Sequence, residues 1–110
     1  MSANRLITGW VDLELAVLHM QSFGNEKIEA AHWLRIAGLN IGAAADSNEV
    51  LIKIAAAVGE LADKYEIVLF NTHASEKALG NVIADVLPKA KEIKKNLRIE
   101  IDTMHEAPRA

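Results

Sequence analysis

The clearest patterning of apolar and polar positions lies between Glu66 and Asp102. Four consecutive apolar residues, Ile67 to Phe70, precede the amphipathic stretch SEKALGNVIADVLPKAKEIKK. After it comes LRIEID, where Leu97, Ile99 and Ile101 alternate with Arg98, Glu100 and Asp102. A short unbroken apolar run matches a strand covered on both faces, and alternation matches a strand with one wet face. Between them Leu79, Val82, Ile83, Val86, Leu87 and Ile93 form a helical stripe. Ser75 is placed to cap that helix, Pro88 to kink or restart it near Leu87, and Asn96 to end it. Strand, helix and strand at this spacing predict a right-handed crossover between two parallel strands.

Upstream, Asp46 opens a capping box with Glu49. Val50, Ile54, Ala57, Val58, Leu61 and Tyr65 then make one buried helical stripe. Asn25 caps an earlier helix through Ile28, Ala31, Trp33, Leu34 and Ile36, which stops at Gly38. Leu39 to Ala45 shows no clear period and reads as a loop. Gly9 to Phe23 satisfies two templates. Val11, Leu13, Leu15 and Val17 alternate with Asp12 and Glu14 as in a strand. The same residues are mostly helix formers, with Thr8 to cap and Gly24 to end a helix. As a helix, its two acids stand about 200° apart, which is poor segregation; propensity favours helix.

The expected fold is α/β (or α+β): a helix-rich single domain over residues 1–110 with a small, mainly parallel sheet containing a C-terminal β-α-β unit. Residues 1–4 and 103–110 are expected to fray. Two parallel strands do not make a stable sheet alone. A third must come from residues 5–20 or from a second chain, which makes a homodimer with a continued sheet attractive.

Composition narrows the classes. The 110 residues contain no cysteine, which removes disulfides and thiolate metal sites and favours a reducing compartment. No run approaches the length of a membrane span, and the start carries no signal-like apolar run, so a cytoplasmic location is expected. Net charge is −3, against a dedicated nucleic-acid binder, but it is unevenly spread. Residues 1–76 carry −5 and residues 77–98 carry +4. Lys89, Lys91, Lys94 and Lys95 fall in the last turns of the expected helix, where cations oppose the negative end of its dipole. They also form a candidate partner surface, for an acidic patch on another protein or on the first half of a second copy.

Candidate chemistry is thin. Asn71, Thr72, His73, Ser75 and Glu76 would lie beyond the carboxyl end of a buried strand and at a helix start, where α/β sheets hold ligands and backbone N–H groups attract anions. The bland reading is a polar turn with a capping serine. No GxxxxGK[ST] loop accompanies it. Glu29 and His32 share a helix face at Glu-x-x-His spacing, but a di-iron site needs a second such pair, and only Asp102 with His105 resembles one. No metal or cofactor is therefore expected. His19 sits among apolar residues and reads as a packed histidine. Trp10, Trp33 and Phe23 read as core or as interface anchors. The function expected is a small non-catalytic regulatory, adaptor or inhibitor-like module that binds another protein, acting as a homodimer. The alternative is a small enzyme or sensor that binds an anionic metabolite at the strand–helix junction Asn71–Glu76.

Overall fold

The 3.6-residue period governs the described residues throughout. The computed structural model describes residues 2–22, 26–71 and 75–106. Those residues form four helices: α1 (Ser2–Gln21), α2 (Glu26–Ala45), α3 (Glu49–Leu69) and α4 (Glu76–Glu106). Each packs on two neighbours in a ring, α1 on α2 and α4, and α3 on α2 and α4. Neither diagonal pair comes into close backbone contact. Cross-links join neighbours in antiparallel register. Lys27 meets Tyr65, His19 meets Glu29, and Trp10 meets Lys94. Short connections and antiparallel neighbours make this an up-and-down four-helix bundle.

The expected α/β fold is therefore overturned. The described residues contain no strand, so there is neither a parallel sheet nor a β-α-β unit, and no sheet can continue across a dimer. Ile67 to Phe70 is the last turn of α3 and its C-cap. Ile67 is 72% exposed and Phe70 64% exposed, the opposite of a strand covered on both faces. Leu97 to Asp102 continues α4: Asn96 does not end the helix, and Pro88 does not restart it. Leu97 and Ile101, four apart, are buried, while Ile99 between them is 54% exposed. Burial at i and i+4 is helical spacing; alternation would have buried all three. Pro88 is exposed, so the Ala84 carbonyl that loses its intrahelical donor also faces water.

Residues 39–45, expected as a loop, belong to α2. Gly38 and Gly42 are packing positions, not breakers. A Cβ at Gly38 would meet Val58 Cγ1 at 3.5 Å, and one at Gly42 would meet Ala55 Cβ at 3.7 Å. On the other side, a Cβ at Gly9 would come within 2.8 Å of Ile41 Cγ1, so α1 and α2 cross where no side chain intervenes. Ala30, Ala31, Ala37, Ala44 and Ala45 are buried along the same helix. Small residues on two sides let α2 serve both neighbours, which blurs the single apolar stripe that marks a helix.

The α2–α3 turn also differs from expectation. Asn48 caps α3, its side-chain oxygen accepting from Leu51 N at 3.2 Å. Asp46 instead ends α2 in the left-handed region, with φ 49°. Glycine occupies such a position without the Cβ clash. Asp46→Gly is expected to stabilise the fold by about 0.5–1 kcal/mol, read as a higher urea midpoint; a lower midpoint would show that the aspartate is needed there.

The core is aliphatic and continuous, with Leu6, Leu13, Met20, Leu34, Ile41, Leu51, Val58, Val86 and Leu97 essentially inaccessible. Tyr65 is buried among them, and its hydroxyl donates to the Lys27 carbonyl at 2.6 Å. Asp12 is the buried charged residue of the core, 4% exposed, and accepts from Asn40 Nδ2 at 2.8 Å. Burial raises its pKa, opposed by the Asn40 hydrogen bond and by nearby His32. Helix α1 begins at Ser2 and α4 runs to Glu106, so regular structure reaches into both ends expected to fray.

Candidate protein-binding surfaces

The residues singled out at Asn71–Glu76 form a helix–helix connection, not a strand–helix junction. Asn71 N donates to Val68 O at 3.3 Å, closing α3. The Ser75 hydroxyl accepts from Ala78 N at 3.1 Å, the capping role read from the sequence. Glu76 is the first residue of α4 and is exposed. Thr72 and His73 lie outside the described residues. No strand occurs among the described residues, so the strand-end position expected for Asn71, Ser75 and Glu76 is overturned.

The two histidines whose side chains are described, His19 and His32, have different partners. His19 Nε2 lies 3.7 Å from Glu29 Oε2, across the α1/α2 seam. Glu29 therefore turns toward His19, while His32 stands edge-on to Trp33, ring centres 5.6 Å apart. Among the described residues no group of three or more His, Asp or Glu side chains is placed to hold a metal ion. No helix among them is long and apolar enough to cross a membrane.

What the bundle does offer is two apolar surfaces with different charge around them. The first is the groove between α3 and α4. Two hollows of about 310 and 450 Å³ lie end to end along it and share Ala57 and Ile93. Val50, Ile54, Leu61 and Ile99 complete the apolar lining, and Val50 and Ile99 are exposed. The charged lining is balanced: Lys53, Lys64 and Lys89 against Glu60, Glu92 and Glu100. Lys64 and Lys89 both reach Asp85, at 2.9 Å each, and hold its carboxyl below the usual range, Lys89 more than Lys64. Lys53, Glu60, Glu92 and Glu100 make no ion pair within the described chain.

The second surface is the outer face of α1 beside α4. Ile7 and Val11 are each 40% exposed and Leu18 55%. At about 100° per residue these three fall within about 40° of one another, so they make one stripe. Lys94 and Arg98 flank it from α4, fixed by Trp10: Lys94 Nζ is 5.6 Å and Arg98 Cζ 5.2 Å from the indole centre. The Trp10 indole N–H donates to Lys94 O at 3.1 Å, so its polar edge is turned into the bundle. Lys94 approaches Glu14 at 3.9 Å, and Arg98 pairs with Asp102 at 3.3 Å. Lys91 and Lys95 are exposed and make no ion pair among the described residues. The lysines marked in the sequence thus divide: Lys89 belongs to the α3/α4 groove, Lys94 to the α1/α4 side, and Lys91 and Lys95 to the exposed outer side of α4.

Sequence reasoning missed the apolar half of both surfaces. Ile99 was assigned to a strand, and Val11 to a segment fitting either template. A helical wheel over residues 7–18 would have lined up Ile7, Val11 and Leu18, but nothing in the sequence said that their side lay open.

Other seams carry ordinary cross-links. Arg35 Nη2 pairs with Asp63 at 2.5 Å and Glu66 at 2.6 Å, joining α2 to α3 and raising the Arg35 pKa, chiefly through the Glu66 hydrogen bond. Compared with known protein families, curated proteins and solved structures, the chain has no significant match to any of them.

Proposed function

We propose that this chain is a non-catalytic protein-binding module of the regulatory, adaptor or inhibitor kind, and that it works as a homodimer paired across the α3/α4 groove. The observation that carries the reading is the balanced ring of charge around an open apolar groove. In a two-fold interface each patch faces its own copy. A patch of one sign repels itself; a patch with equal numbers of both signs can pair lysine with glutamate.

The spacing along α3 supports a register. Glu49, Lys53, Glu60 and Lys64 reverse sign about the point between Ala56 and Ala57. An antiparallel copy of α3 sets Lys53 opposite Glu60 and Glu49 opposite Lys64, twice over. Ala56, Ala57 and Gly59 at the centre let the two backbones approach closely, and beyond its own stretch of helix no heavy atom lies within 4 Å of where a Gly59 Cβ would sit.

Light scattering at high micromolar concentration is expected to give twice the 12.0 kDa chain mass. Ile99→Asp is expected to return the monomer with helicity intact, since that side chain is exposed on α4. Lys53→Glu is expected to weaken the dimer by about tenfold, because two attractions become two repulsions of under about 1 kcal/mol each. Adding Glu60→Lys is expected to restore it. A monomer throughout, or a Lys53→Glu dimer of unchanged strength, would overturn the pairing.

A further inference from the structure

The α1/α4 face is poorly matched to itself, because its charge is unbalanced: Lys91, Lys94, Lys95 and Arg98 against Glu14 and Asp102. We infer that this face docks an acidic amphipathic helix of a different protein. Ile7, Val11 and Leu18 present the apolar seam, over about 16 Å at 1.5 Å per residue. Lys94 and Arg98 border it from α4, with Glu14 and Asp102 as their carboxylate partners, and Lys91 and Lys95 continue the exposed basic side of α4 at i, i+3, i+4 and i+7 spacing. A helix with apolar residues at i, i+3 or i+4, and i+7 fills such a seam. Glutamates or aspartates on the flank that meets α4 would find Lys91 and Lys95 uncommitted to any carboxylate of the described chain. Opposite charge steers the encounter and fixes which flank faces α4.

Two other occupants fit less well. An anionic bilayer favours aromatic side chains whose rings can enter the headgroup layer. Trp10, the aromatic residue at this face, is half-buried and tied to the Lys94 carbonyl. Nucleic acid would take the lysines but leave three exposed aliphatic side chains against phosphate. The docking extends the protein-binding reading to a second face and needs no dimer.

The probe is a synthetic helix of about 18 residues, with leucines at i, i+3, i+4 and i+7 and glutamates on the flanks. An analogue carrying lysine at every glutamate is its control. Titrated into the isotopically labelled chain, the acidic helix is expected to bind with micromolar affinity and to shift the Trp10 indole resonance and amides of α1 and α4, leaving α3 unchanged. The lysine analogue is expected to bind at least tenfold more weakly. Lys91→Glu with Lys95→Glu, and separately Leu18→Asp, are each expected to weaken the acidic helix about tenfold, with circular dichroism unchanged. Ile99→Asp is expected to leave binding intact, which separates this surface from the dimer. Equal binding of both peptides, shifts in the α3/α4 groove, no binding of the acidic helix, or tighter association with phosphatidylserine vesicles than with the peptide would each overturn the assignment.

Discussion

Tyr65→Phe is expected to make the protein less stable at neutral pH and more stable at strongly alkaline pH, so that the two stability curves cross. Tyr65 is inaccessible, and burial pushes its pKa up to about 12 from the ordinary 10.0. The unfolded chain releases the phenolic proton near 10 and the folded chain only near 12. Between those values the unfolded state has lost a proton that the folded state still holds. The stability associated with the phenol is therefore complete below pH 10 and falls as pH rises toward 12. The full loss is roughly 2–3 kcal/mol, at 1.36 kcal/mol per pH unit. Phenylalanine cannot ionise, so the variant escapes it. At neutral pH the variant loses the bond to the Lys27 carbonyl, worth about 1 kcal/mol. Lysine and arginine titrations act on both proteins and cancel in the comparison. The chain has one tyrosine, so tyrosinate absorbance reports this group alone. Ionisation near pH 10 in the folded protein, or stability curves that stay parallel, would place the phenol in water and refute the packing described.

The parts of the fold that could be read from the sequence were those in which one stripe faced one core. Of the stripe read on α3, Val58, Leu61 and Tyr65 are buried and Ile54 and Ala57 are half-buried, but Val50 is exposed and Leu51 beside it is buried instead. Ser75 caps α4 as read. Misreadings came where local pattern and tertiary packing disagree. Ile67 to Phe70 is short and apolar, and periodicity cannot tell such a run from the end of a helix. Its exposed members, Ile67 and Phe70, belong to a helix terminus whose inward side is carried by Val68 and Leu69. Gly38 and Gly42 look like punctuation in isolation, yet each marks a close approach to α3. Asp46 and Glu49 satisfy a capping-box pattern, yet Asn48 is the cap. At the candidate surfaces, the basic block of α4 was visible as charge. Its apolar counterpart was not, because Ile7, Val11 and Leu18 gain meaning only once α4 is known to lie along α1.

The sharpest mutational contrast lies in the segment that carried the strand expectation. Leu97→Ala is expected to cost about 2–5 kcal/mol, the range for emptying a fully buried leucine site. Ile99→Ala, two residues on, is expected to cost about 0.5 kcal/mol or less in the isolated chain, because that side chain is more than half exposed. In a strand the two would share a face and cost alike; in α4 they stand about 200° apart. Protein concentration adds a second axis to the same measurement. Removing Leu97 takes atoms from the bundle core, so its cost holds at every concentration. Ile99 lines the α3/α4 groove, so its substitution should acquire a larger cost only where copies pair, because association stabilises the folded form by mass action. Urea midpoints for both variants at low and high micromolar concentration read all of this. Similar costs at the two positions would overturn the helical register of α4. A small Ile99 cost that ignores concentration would leave the helix standing and remove the groove from the dimer.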